Sequence, residues 1–565
     1  MKKFHEFEYK RPEYESVKAS INTFIQEFKT ATSVTRQIEC VNGINAVRRD
    51  FESMSSICSI RYDMNTADAF YEAENDYFDE YEPLIQELVN QYYAVLVDSP
   101  FRNELEAAFG HHIFNLATNE MKCFSPEIIE DLQQENALVT MHTKLISSAA
   151  ILFDGEERNL AQLRAYFQSK DRSVRKAAYE AYASFFSDHE AEFDNIYDRL
   201  VKLRTKMAKT LGFDSFVEMG YIRLNRTDYN AQMVAGYRKQ VLEEVVPLAL
   251  KLLEKQCKRL GLEALTYYDE PLRFKTGNPQ PKGTPEEIVK NGMKMYSELS
   301  RETKEFFTFM EENGLFDLLS RKGKMGGGYC TFIPIEKSPF IFANFNGTSD
   351  DIDVLTHEAG HAFQVYCSRN YAIPEYVWPT LEACEIHSMS MEFFTYPWME
   401  LFFQEDVLKH RFAHLSEALL FLPYGVSVDE FQHEVYENPE ASPDERKKIW
   451  RNIERKYMPM RNYADNDFYE KGTMWMRQSH IFETPFYYID YTLAQVCAFQ
   501  FYNRMEQNRE KAWEDYKNLC NAGGSKPFLD LLKIAGIKNP FESGSVKESV
   551  LEIFKQVEAI DDSDF

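Results

Sequence analysis

A mostly apolar helical stretch that carries two histidines and a glutamate constrains this chain more than any other segment. From Ile352 the pattern is helical, with Val354, Leu355, Ala359, Ala362, Phe363 and Val365 apolar, so the helix belongs in a core. Set into it are His357, Glu358 and His361. Burying such groups without partners costs about 1–3 kcal/mol each. The fold must therefore supply partners, and one cation serves both imidazoles. Residues four apart lie on one helix face, so His357 and His361 converge. Glu358, one residue along, can reach a water beside the metal without ligating it. Two neutral imidazoles and a carboxylate base are what metal-assisted peptide hydrolysis requires. The competing reading is a coincidence of polar residues on a solvated helix, and the apolar flanks argue against it.

A catalytic zinc site has three protein ligands and one open position. No cysteine pair here has zinc-finger spacing, so the third ligand is expected on a second packed element. Residues 378–393 offer Glu382, Glu385, His387 and Glu392. Helical phase places Glu385, Ser388, Met389 and Glu392 on one face, so that Glu385 could ligate while Glu392 supports the site from behind. His387 lies about 200° away around the helix and reads as a packed histidine or one that supports the site from outside the ligands. Spacing alone leaves Glu382 open beside Glu385. Asp353, four residues before His357, reads either as an imidazole partner or as a solvated residue early in the helix.

Upstream, residues 339–346 read as a strand whose Pro339 suits an edge position. Residues 347–350 form a turn with candidate N-caps. Most of the rest is helical. Val17, Ile21, Phe24, Ile25 and Phe28 fall at helical spacing, as do Phe193, Ile196, Leu200, Leu203, Met207 and Leu211; both stripes read as core. The acidic run 68–87 reads as a solvated helix with one buried face. Gly326, Gly327 and Gly328 lack the residues of a phosphate loop and read as flexible backbone beside a cleft. The expectation is a mainly α protein with one small sheet near 265–275 and 328–346, beside the helix that carries His357. An N-terminal helical domain is expected over 1–190 and the catalytic part over 191–565.

The net charge of −26 argues against nucleic acid or an anionic membrane as partner. Nine scattered cysteines read as reduced thiols. No secretory signal is visible at the N-terminus and no run of eighteen apolar residues exists, so a cytoplasmic location is expected.

At this point the chain resembles a known family. His357-Glu358-x-x-His361, followed by Glu385-Ile-His-Ser-Met-Ser-Met-Glu392, is similar to the thimet-oligopeptidase-like zinc peptidases. Phe340-Ile-Phe-Ala-Asn-Phe-Asn-Gly-Thr348 and His480-Ile-Phe-Glu-Thr-Pro-Phe-Tyr-Tyr-Ile-Asp-Tyr491 look like the oligoendopeptidase F branch. The motif order is closest to the bacterial Pz-peptidases. The resemblance implies one zinc ion, Glu385 rather than Glu382 as third ligand, and a helical frame enclosing a substrate channel. It also implies short peptides, collagen-like ones among them, as substrates.

Glu358 is then expected to take a proton from water and pass it to the leaving amine. The carbonyl oxygen needs a further donor. The segment from His480 to Tyr491 offers an imidazole and three phenols; read alone, these pack or donate. Resemblance places Tyr488 and Tyr491 against the substrate carbonyl, with a one-residue offset relative to His480. Tyr487 has no clear counterpart. Strand 340–346 is expected to pair with an extended peptide by β-augmentation. Two rivals are a zinc carboxypeptidase, which needs a cation to grip a free carboxylate, and a non-catalytic peptide-binding scaffold, which should have lost one of the four site residues.

Overall fold

A computed structural model describes residues 2–562 and 565 of the chain. Helices dominate, and many begin at a side chain that satisfies one of their first N–H groups. Ser33 caps α1 (Val34–Met64), and Asp68 caps the helix Ala69–Val97, which contains the acidic run and buries Phe78. Both apolar stripes are core: Ile21, Ile25 and Phe28 in one helix, Phe193, Ile196, Leu200 and Met207 in another. A short hairpin, β1 (Ile151–Phe153) and β2 (Glu156–Arg158), leads into α2 (Leu160–Arg164).

The second sheet has three strands, β3 (Phe316–Leu319), β4 (Tyr329–Ile333) and β5 (Ser338–Phe345), in the order β3-β5-β4. β5 is antiparallel to β4 and parallel to β3, so it is the central strand and not the edge that Pro339 suggested. Proline is tolerated because β3 starts opposite Ile341, whose N–H donates to Leu315 C=O at 3.0 Å. The nitrogen of Pro339 points to that same side, beyond the end of β3, where no ladder bond is lost.

Residues 265–275 do not join the sheet. Their backbone is satisfied locally, with Asp269 N–H on Thr266 C=O at 2.8 Å and Leu272 N–H on Asp269 C=O at 3.2 Å. The Asp269 carboxylate gathers Thr266, Arg172 and Arg175 and locks these turns. The third strand is Phe316–Leu319 instead.

Four further helices frame the site: α3 (Asp350–Ser368), α4 (Leu381–Phe394), α5 (Val407–Glu437) and α6 (Tyr488–Gln507). α3 packs on α4, and α6 packs on both α4 and α5. Pro379 lies just outside α4, whose N-cap is Thr380. No helix among the described residues is long and apolar enough to cross a membrane. All nine cysteines are free thiols.

Candidate active site

α3 and α4 approach so closely because residue 360 has no side chain. A Cβ on Gly360 would lie 2.6 Å from Ser388 Cα and 2.7 Å from His387 C=O. Any larger residue would wedge apart the two helices that bear the predicted ligands. On α3, His357 and His361 present their rings on one face, 5.0 Å between centroids. On α4, Glu385 projects between them, with Oε2 3.1 Å from His357 Nε2 and 3.5 Å from His361 Nε2. One ligand atom from each of these three residues lies within 4.8 Å of the others. Glu382 is fully buried one turn earlier on α4, with neither oxygen hydrogen-bonded to another side chain.

The protonation pattern asks for a cation. His357 Nδ1 donates to Glu392 Oε1 at 2.6 Å, so Nε2, 3.1 Å from a Glu385 oxygen, needs either a proton of its own or a metal ion between the two atoms. Burial opposes charge on His357, yet Glu385 and Glu392 outweigh it and raise its pKa well above the usual value. Burial works against the Glu385 carboxylate too, and the two imidazoles reverse that and hold its pKa well below normal. Two nitrogens and one carboxylate oxygen are a donor set that suits zinc. Glu358 Oε2 and His361 Nδ1 are buried without hydrogen-bond partners, further polar capacity beside the same point. Burial raises the Glu358 pKa, with the imidazoles pulling the other way.

Glu392 is itself braced. Its Oε2 accepts from His414 Nε2 on α5 at 2.8 Å, and His414 Nδ1 meets Tyr396 Oη at 2.5 Å. Burial disfavours charge on His414, but the bond to Glu392 dominates and its pKa rises to about 9. His414 was missed from the sequence, because nothing in spacing links a histidine on α5 to one on α3. Asp353 does not orient His357; the imidazole it approaches is His410, at 3.9 Å. His387 is fully buried against Tyr516 and away from the ligands, as its helical phase implied.

The predicted tyrosines enter at the start of α6. Phe486 holds φ at +67°, rare for a bulky residue. Two buried bonds fix it there: its N–H donates to Gln432 Oε1 at 2.9 Å, and its C=O accepts from Arg226 at 2.6 Å. Arg226 also pairs with Asp490 at 2.7 Å. This turn aims Tyr487 at the ligands, and its Oη donates to Glu385 Oε1 at 2.5 Å. Tyr487, the one phenol of the three without a clear counterpart in the family, is thus the one that hydrogen-bonds the Glu385 carboxylate.

Tyr491 lies one helical turn further. Tyr424 Oη donates to Gln478 Oε1 at 2.9 Å, which turns the Gln478 amide nitrogen toward His480 Nδ1 at 2.7 Å. Burial lowers the His480 pKa, so the ring is neutral with its proton on Nε2, 3.1 Å from Tyr491 Oη. Tyr491 thus accepts from His480 and keeps its own proton for another acceptor.

A cavity of about 330 Å³ is walled by His357, Glu358, His361, Glu385, Tyr487 and Tyr491, with Gly328 to Thr331 along one side. Gly328 and Tyr491 also belong to a larger neighbouring cavity of about 770 Å³. Tyr488 and His480 line only the larger one, as do Gly326 and Gly327. Cys330 of β4 sits opposite Ile341, a pair that exchanges no ladder bonds. Its N–H and C=O therefore point away from β5. Further along that edge Ser56 of α1 already donates to Phe332 C=O at 3.1 Å. The strand edge open to a peptide is thus β4, since both sides of β5 are taken.

Comparison with known proteins follows the same lines. A model described as the peptidase M3 N-terminal domain matches residues 4–124, and one described as peptidase family M3 matches residues 165–551. The chain is similar to oligopeptidase PepF of Bacillus subtilis, 21% identical over 566 residues, covering 93% of this chain and 81% of that protein. It is similar to an oligoendopeptidase F homolog of Borreliella burgdorferi, 24% identical over 400 residues, with 69% of this chain and 65% of that protein covered. Among solved structures, Pz peptidase A with inhibitor 2 superposes with a TM-score of 0.98 at 58% identity, covering 99% of this chain and 100% of that one.

Proposed function

The chain belongs to peptidase family M3, and on that premise we propose a zinc-dependent oligoendopeptidase that hydrolyses internal bonds of short, unstructured peptides. The observation that carries the zinc reading is the convergence of His357, His361 and Glu385 with a buried, partly unpartnered Glu358 beside them. When bound, zinc supplies Lewis-acid chemistry, polarising a carbonyl and making water acidic near neutral pH.

The rest is done by side chains of this chain. His357, His361 and Glu385 hold the metal; Glu392 and His414 orient His357, and Tyr487 orients Glu385. Glu358 takes the proton of the attacking water and delivers it to the leaving amine. Tyr491, its oxygen supplied by His480, directs its own proton to the carbonyl oxygen as negative charge develops there. Tyr488, reached from the larger cavity, is the second candidate donor. An extended peptide pairs with the open edge of β4 at Cys330. A folded domain does not fit a cleft of this size, and that favours short peptides. Collagen-like sequences, suggested by the resemblance to Pz-peptidases, belong in the substrate panel. A cytoplasmic location agrees with the free thiols.

The test is Glu358→Gln assayed on a peptide blocked at both ends. Metal content and fold should be retained, while kcat/KM falls by about 10²–10⁴. Activity within about tenfold of wild type would place the base elsewhere. Internal cleavage of the blocked peptide by the wild type separates an endopeptidase from a carboxypeptidase.

A further inference from the structure

The larger cavity holds a charge arrangement that hydrolysis at the metal leaves unused. Three carboxylates line it and each has a cationic or imidazole partner. Glu392 serves His357 and His414, Glu417 meets Arg273 at 3.0 Å, and Glu483 meets His142 at 3.3 Å. Two guanidinium groups line it as well: Arg164, the last residue of α2, and Arg477, the last of the short helix Met474–Arg477. Among the described residues, neither makes an ion pair. Arg164 has a 3.5 Å hydrogen bond to Tyr182 Oη, and Arg477 lies 5.6 Å from the ring centroid of Tyr424. Asp350 acts on Arg164 only from beyond ion-pair distance.

In a chain with 90 acidic residues and a net charge of −26, carboxylates are plentiful, yet among the described residues none stands within ion-pair distance of either guanidinium. The two arginines instead repel each other, and the groups around them are phenols, from Tyr182, Tyr424 and Tyr488, which bring polarity without charge. Both arginines line the cavity, Arg164 as an exposed residue and Arg477 as a half-buried one. Planar five-donor groups held this way match a carboxylate.

We propose that Arg164 and Arg477 form a subsite for a carboxylate of the peptide substrate, its free C-terminus or an acidic side chain. The proposal rests on the oligopeptidase reading and names which peptides that site prefers. Neither arginine lines the metal-side cavity, so the anchored carboxylate lies away from the bond being cut, and cleavage stays internal. Anchoring at a distance from the metal also selects for length, because a peptide must span both points to gain from both.

The test measures equilibrium binding to the full chain carrying Glu358→Gln, so that turnover plays no part. Three peptides share one sequence: a free acid without acidic side chains, its C-terminal amide, and the amide with one Glu introduced at successive positions. The free acid should bind about 10- to 100-fold tighter than the plain amide, and Arg164→Gln or Arg477→Gln should reduce that ratio to within about threefold. Unchanged affinity for the plain amide in the variants shows that the fold survived. Arg164, being solvent-accessible, carries the test if Arg477→Gln does not fold. Tight binding of the Glu-bearing amide instead of the free acid, lost in the same variants, assigns the subsite to a side chain. Equal affinity of the wild-type arginine pair for all three peptides overturns the proposal. So does a free-acid preference that survives both substitutions. Since binding is read without catalysis, failure of the peptidase reading would appear separately, as absence of cleavage of any peptide by the Glu358 enzyme.

Discussion

Substituting Gly360 by alanine sets two effects of known sign against each other. Alanine is favoured over glycine inside a helix by about 1 kcal/mol. The added Cβ, however, would stand 2.6 Å from Ser388 Cα, 2.7 Å from His387 C=O and 3.0 Å from Met391 Cβ. Ordinary carbon contact needs about 3.5 Å, so α3 and α4 must part by roughly 0.9 Å at that point. The nearest atoms are backbone and cannot rotate away. Overpacking of this kind costs about 1–3 kcal/mol, which leaves a net loss of about 1 kcal/mol after the gain in propensity. The ligands suffer more. His357 and His361 flank Gly360, and Glu385 lies one turn from Ser388 on the opposing helix. Metal–ligand distances tolerate only about 0.2 Å, so zinc affinity should fall at least about tenfold. Gly236, helical and with no atom within 4 Å of an added Cβ, is the control: Gly236→Ala should stabilise by up to about 1 kcal/mol. Unfolding midpoints of the metal-free proteins and zinc affinity by chelator competition give both numbers. If Gly360→Ala stabilised as Gly236→Ala does and bound zinc normally, the close-approach argument would be wrong.

Glu385→Ala should lower zinc occupancy in metal analysis, whereas Glu382→Ala should leave it intact; the reverse would displace the ligand assignment by one helical turn. Tyr491→Phe should lower kcat with little change in KM, by about 10²-fold if its proton meets only the developing oxyanion. Tyr488→Phe tests the second phenol in the same assay, and wild-type kcat in both would leave the oxyanion to other donors. His414 has a pKa raised to about 9 by Glu392 against the opposing effect of burial. For a raised imidazole the stabilisation is fully present below the unfolded value near 6.5 and lost as pH climbs through 9. The stability difference between wild type and His414→Gln should therefore shrink over that interval, by on the order of 3 kcal/mol. A difference that is flat with pH would show that His414 is not charged in the fold.

The sequence by itself determined whatever depends on local periodicity. Apolar spacing around His357 and His361 dictated a buried helix, and a buried helix with two imidazoles four residues apart requires a shared partner. Helical phase on 382–392 likewise placed Glu385 and Glu392 on one face and sent His387 to the other side, where it lies. Resemblance of combined motifs then supplied the family. What depends on distant chain segments was not legible. Pro339 pointed to an edge strand, but an edge is defined by what lies alongside, and β3 begins only opposite Ile341, past the proline. Residues 265–275 have the composition of a strand, yet Asp269, Arg172 and Arg175 close them into turns. His414 on α5, Tyr487 just before α6, Arg164 at the end of α2 and Arg477 in the short helix before His480 carry no spacing signal, because these separate segments meet only in the folded chain. Helical phase acts over a few residues and can be read along the chain. A charge's partner, or the lack of one, is set by packing across hundreds of residues and exists only in the folded molecule.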